Sequence, residues 1–182
     1  MAGGWRRTVA MAVPLLLVAC AGTYRATDTV TSVPEGFRCD SILIAVPRDG
    51  SLDGKPYEGS GHFVAHRAAE EFSKYAGKVE IAPADLREHS GLLAAARSSS
   101  AHYLVVPEIA HWEQRYSAFD HRPSQAVINM SVVEVDSDRE IVSTVLDGTS
   151  GTGMLVETSA AAASTRVIHD FVRDLCGGAG AS

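Results

Sequence analysis

Apolar positions along this chain recur in three patterns, and each predicts a different element. Short unbroken runs are the first. DSILIAVP, Asp40 to Pro47, is rich in branched residues and stopped by proline, which predicts a central strand. KVEIAP, Lys78 to Pro83, interrupted by Lys78 and Glu80, predicts a second short strand.

Helical spacing is the second pattern. Phe63, Val64, Ala68, Phe72 and Tyr75 recur along GHFVAHRAAEEFSKYAG, with Ser60 placed as a cap and Gly77 as a stop. ADLREHSGLLAAARSSS predicts another helix with Leu86, Leu92, Leu93 and Ala96 inward, although Gly91 weakens its continuity. In LVETSAAAASTRVIHDFVRDLC, Ala160, Ala163, Val167, Phe171 and Leu175 share one stripe, which predicts the last helix.

Alternation is the third. AHYLVVPEIAHWEQRY reads as a longer strand that becomes exposed toward its end. In QAVINMSVVEVD, Val127, Asn129, Ser131, Val133 and Val135 alternate with Ile128, Met130, Val132 and Glu134. SDRE then turns the chain and IVSTVLDGTSG returns, which predicts an antiparallel hairpin. The resulting order is β-α-β-α-β-β-β-α. It predicts a single α/β (α+β) domain, three-layer-like, with a mixed sheet packed by helices.

The termini lie outside this pattern. MAGGWRR carries Arg6 and Arg7 and no acid, and Thr8 to Ala19 is almost wholly apolar but shorter than the ~20 residues of a spanning helix. That is the layout of a secretory signal. It ends Leu17-Val18-Ala19-Cys20, which resembles the lipobox of bacterial lipoproteins. The resemblance implies cleavage before Cys20, diacylglycerol on its thiol and acylation of the new amine. Several acyl chains together anchor stably, at about 0.8 kcal/mol per buried methylene. The next residue is Ala21 rather than aspartate, so by analogy the address is the periplasmic face of the outer membrane. The expected organisation is a leader at 1–19, lipidated Cys20 and a flexible tether to residue 38, one domain at 39–176, and a frayed tail at 177–182.

Charge narrows the partners. The chain carries a formal charge of −6, and loss of the two leader arginines makes the mature protein more acidic still. With no basic run anywhere, nucleic acid is not an expected partner. With Cys20 assigned to lipid, Cys39 and Cys176 remain, one at each end of the domain. An oxidising compartment permits a disulfide between them; two separate small apolar residues is the alternative.

The lipobox, the strand ILIAVPRDG, YEGSG opening the next helix, and YLVVPEIAHWEQR, Tyr103 to Arg115, together resemble a DUF4823-like family of small bacterial envelope lipoproteins of unknown function. More distantly the order of elements is similar to the fold shared by the TolB N-terminal domain, CsgG and LpoB. That likeness implies docking or assembly in the envelope rather than chemistry. It supplies no catalytic or ligand-binding positions to carry over.

Candidate chemistry is sparse. His62, His66 and Glu70 follow i, i+4, i+8 spacing and could share a helix face and a metal such as zinc. Arg67, Glu71 and Lys74 fall on the same side, which instead reads as a solvated face. In EIAHWE, alternation separates Glu108 from His111 unless a bulge intervenes, while His111 and Glu113 could pair. DGTSGTG lacks the lysine of a phosphate loop.

No cofactor is implied. Two functions stay open: a noncatalytic binding or assembly factor for an envelope protein or peptidoglycan, or a metal-dependent hydrolase using the His62 face. For the first, the contact candidates are Tyr57, Trp112, Arg115, Tyr116 and Phe119, aromatics and an arginine on loops beside the sheet. Trp112 is also a candidate core plug, and that is the favoured reading.

Overall fold

The computed structural model describes residues 37–115, 122–150 and 159–177, together with the backbone of 24–29. In chain order the elements are β1 (Tyr24–Thr29), β2 (Ser41–Ile44), the short pair β3 (Ser51–Leu52) and β4 (Lys55–Pro56), and α1 (Ser60–Phe72). They continue with β5 (Lys78–Ile81), α2 (His89–Ser98), β6 (Tyr103–Glu113), β7 (Gln125–Glu134), β8 (Arg139–Thr149) and α3 (Ala160–Val172). A π-helical turn over Arg173–Gly177 follows. From β2 onward the main elements keep the expected order. The architecture is the expected mixed sheet packed by helices.

The main sheet of the described residues runs β1-β8-β7-β6-β2-β5. β2 is parallel to both β5 and β6. The step from β2 to β5 goes one way across the sheet, and the step from β5 to β6 goes back past β2. Crossovers of this kind are right-handed, so reversing direction places α1 and α2 on opposite faces. The side chains agree: Ile42 and Ile44 join the α1 cluster with Val64 and Phe72, while Leu43 and Ala45 join Leu92, Leu93 and Ala96 of α2. Each fully buried side chain of this kind contributes about 1.5–3 kcal/mol.

From β6 to β1 the pairing is antiparallel. Here α3 is the helix that packs on β7 and β8. Ile128, Met130, Val132 and Leu146 are buried on its side. The opposite face presents Val127, Asn129, Ser131 and Val145, all half-buried, and α2 does not extend over them.

Several local details differ from expectation. Residues 24–29 fall within the expected tether, yet they pair with β8 from Tyr24↔Gly148 to Thr29↔Ser143. The loop at 48–59 contains the β3–β4 hairpin, turned by Asp53 and Gly54, both at positive φ. Ser60 does not cap α1. It is buried and its Oγ accepts from the Gly50 N–H at 2.9 Å. The cap comes instead from Asp49, whose carboxylate accepts from Gly59 N–H at 3.0 Å and Gly61 N–H at 2.7 Å. A carboxylate there also complements the helix dipole. Tyr75, expected on the inward stripe, lies past the helix end and is exposed.

α2 starts only at His89, and Leu86 packs where a side chain on Gly91 would stand, 2.8 Å from an added Cβ. α3 starts at Ala160, with Ser159 Oγ accepting from Ala162 N–H at 2.9 Å. Cys39 and Cys176 form a disulfide with their Cα atoms 5.7 Å apart.

Candidate functional site

The His62, His66 and Glu70 side chains are exposed on the outer face of α1. Glu70 is engaged by Arg67 Nη1 at 2.7 Å. Among the described residues, no group of three His, Cys, Asp or Glu side chains is placed to hold a metal ion. The metal-centre expectation therefore finds no built site on this helix.

Of the expected contact residues, the structure brings Tyr57 and Trp112 together. Trp112 is only 4% exposed and belongs to the core, meeting Phe63 edge-on with ring centroids 6.4 Å apart. As a plug, it supports a surface rather than projecting from one. Tyr57 packs against the same cluster, and its hydroxyl accepts from the Gln114 N–H at 3.3 Å. Gln114 in turn accepts through Oε1 from Ala160 N–H at 2.9 Å, satisfying the first turn of α3. Arg115 is ion-paired with Glu113, and its N–H donates to Ser124 Oγ at 2.9 Å. Tyr116, Phe119 and Cys20 lie outside the described residues.

A cleft of about 590 Å³ opens above Trp112, bounded by Pro56–Ser60, Phe63, Gln114 and Ala161. A second, of about 550 Å³, shares Phe63 and Ala161 with it and continues between α1 and α3 to Arg67, Glu71, Arg166 and His169. The two adjoin at Phe63 and Ala161, so an aromatic cleft and a charged cleft lie side by side along the α1–α3 groove.

Sequence reasoning placed Glu71 on a solvated face. Its side chain is instead 6% exposed, and it accepts hydrogen bonds from Lys74 Nζ at 2.5 Å and His169 Nδ1 at 2.8 Å. Burial pushes this carboxyl up, but the hydrogen bonds and charges of Lys74 and His169 outweigh that and hold it below its ordinary range. The missed signal is the helical period itself, because i, i+4, i+7 from Val64 and Ala68 lands on Glu71. No local signal points to His169, which lies 98 residues away on α3.

β6 holds a second departure. The pairing shifts register between Ile109 and His111, so Ala110 forms a bulge. Glu108 pairs with Asn129, His111 with Val127 and Glu113 with Gln125, all on the face that α3 leaves open. The bulge thus brings Glu108 and His111 to one side, where strict alternation would have separated them. Asn129 Nδ2 reaches Glu108 at 3.4 Å, His111 Nε2 lies 3.7 Å from Glu113, and Gln125 Nε2 donates to Asp147 at 2.9 Å. This is a polar, mutually bonded sheet face.

A third cleft, of about 460 Å³, lies at the carboxyl end of β2, where the chain's crossovers diverge to opposite faces. Arg48, Arg87 and Glu108 line it. Such crevices are the usual ligand sites of open α/β sheets.

The model of a domain of unknown function, DUF4823, matches residues 37–175. The chain belongs to this family. No curated protein matches it by sequence. Among solved structures, PelC of Paraburkholderia phytofirmans, a dodecamer, aligns with a TM-score of 0.64 at 18% identity, over 85% of this chain and 97% of that one. Lipoprotein GNA1162 of Neisseria meningitidis aligns at 0.47 and 13% identity, over 75% and 97%. The LpoB C-terminal domain of Salmonella enterica aligns at 0.43 and 15% identity, over 62% and 85%. The PelC match establishes a shared fold for this DUF4823 member. Among the described residues, no helix is long and apolar enough to cross a membrane.

Proposed function

We propose that this protein is a lipid-anchored, noncatalytic docking factor of the bacterial envelope, acylated at Cys20 and held on the periplasmic face of the outer membrane. The groove between α1 and α3 receives an envelope protein partner. The observation that carries this reading is the adjacency of the two clefts. An aromatic floor made by Tyr57, Phe63 and the edge of Trp112 adjoins, at Phe63 and Ala161, the cleft lined by Arg67, Glu71, Arg166 and His169. Aromatic anchors beside arginines are the residue types that dominate protein interfaces. Tyr57 is pinned by Gln114, and Gln114 by α3, so the surface is largely formed before binding.

Photo-crosslinking in the periplasm tests this. Probes at Tyr57 and Arg67 are expected to capture one defined protein, identified by mass spectrometry. Probes at His66 and Asp138 are expected to capture none. Capture from His66 alone would move the site to the outer face of α1, and a band at twice the chain's mass would reassign the groove to self-association. Elemental analysis of protein purified without a metal-affinity tag addresses the alternative. Stoichiometric zinc, lost in His66→Ala, would replace this reading with the hydrolase.

A further inference from the structure

The lipid anchor and the sheet register together orient the domain. We infer that the end of the domain that carries Trp112, Gln114 and the N-termini of α1 and α3 faces the anchoring membrane, with the partner groove left open above the headgroup layer. The acidic β7–β8 turn then stands at the far end. This inference rests on acylation of Cys20, proposed above, and goes beyond it by naming the end of the domain that faces the membrane.

Three residues separate Cys20 from Tyr24, the first residue of β1. Even fully extended, that connection spans at most ~14 Å, at about 3.3–3.6 Å per residue. Tyr24 pairs with Gly148, Gly148 with Ala126, and Ala126 with Trp112. These residues form one row across the sheet, so the anchor enters at the level of Trp112. Neighbouring strands are about 4.8 Å apart, which puts the Trp112 backbone only ~14 Å sideways from Tyr24.

Along the strands the distances are larger. β8 runs from Gly148 back to Arg139, roughly 30 Å at about 3.4 Å per residue. The turn beyond it is therefore outside the tether's reach when Trp112 is near the membrane. Charge favours the same orientation. The far turn carries Glu134, Asp136, Asp138 and Glu140 against Arg139, whereas the segment joining β6 to β7 at the near end balances Glu113 and Asp120 with Arg115 and Arg122. An anionic leaflet repels the first group and leaves the near end free to approach.

The test uses the protein's own fluorescence. Trp5 lies in the leader, so Trp112 is the single tryptophan of residues 20–182. Acylated full-length mature protein is reconstituted into phosphatidylethanolamine–phosphatidylglycerol vesicles containing a dansyl-headgroup lipid. Energy transfer from tryptophan to dansyl is then measured on floated vesicles. Ser137→Trp adds a second donor on the exposed far turn while leaving Trp112 and the core unchanged.

Strong transfer in the wild type and a lower mean transfer efficiency in Ser137→Trp are expected. Cys20→Ser is expected neither to float nor to transfer. Equal or higher efficiency in Ser137→Trp overturns the orientation while leaving the anchor intact. Failure of the acylated wild type to float removes both.

Discussion

The two halves of the sheet solve the problem of burial differently. β5, β2 and the start of β6 are parallel; β2 and the start of β6 have helices on both faces, α1 on one and α2 on the other, while β5 is the exposed edge. Consecutive residues Ile42, Leu43 and Ile44 are all buried there. β7 and β8 are antiparallel and have α3 on one face only, so buried and half-buried residues alternate along them. Parallel strands need crossover connections, and crossover helices cover the faces; hairpins leave a face to solvent. One half of this domain is therefore specialised for stability. The other offers a polar sheet face on one side and, on the other, the groove that α3 forms with α1.

The disulfide joins the two halves, since Cys39 leads into β2 and Cys176 follows α3. It closes a loop of 137 residues. Its removal is expected to cost about 4–5 kcal/mol by the chain-entropy model. Urea unfolding of the Cys39→Ser/Cys176→Ser protein measures this, and a shift below 1 kcal/mol would show that packing alone unites the halves.

A matched pair of substitutions tells the two halves apart. Leu43→Ala, under α2, is expected to destabilise by about 2–5 kcal/mol. Val145→Ser, on the open face, is expected to stay within about 0.5 kcal/mol. Equal costs would mean that the open face is covered after all.

Gly148 marks where α3 touches the antiparallel half. A Cβ added there would lie 2.7 Å from the Ala163 carbonyl oxygen and 2.8 Å from Val167 Cγ1. Gly148→Ala is expected to cost about 1–3 kcal/mol as α3 is pushed outward. Chemical denaturation gives the cost, and slower groove crosslinking at Arg67 would report the displaced helix.

The smallest expected effect is pH-dependent. Glu71 has a lowered pKa in the folded state, so its contribution is present above its ordinary value near 4.5 and is lost as pH falls through the lowered one. Wild type should thus lose more stability than Glu71→Gln between neutral pH and acid below 4.5. Parallel pH profiles of the two proteins would show that Glu71 does not couple α1 to α3.

The class of each main element was legible in the residues alone. An unbroken apolar run specified the two-sided strand β2, alternation specified the β7–β8 hairpin, and the 3.6-residue period specified the helices, because burial imposes those periods locally. The sequence also supplied the pairing candidates Cys39 and Cys176, and the family through residues such as Tyr103–Arg115. Tertiary structure decided what depends on residues far apart. Asp49 displaced Ser60 as the cap of α1, because a folded loop brings a stronger acceptor than the neighbouring serine. A bulge at Ala110 turned Glu108 and His111 to the same side, because pairing with β7 sets the register of β6. Glu71 became buried because α3, arriving from the other end of the chain, covers that flank of α1 and brings His169 to meet it. Local periodicity says which side of an element is apolar; only the packed fold says what stands opposite each polar group.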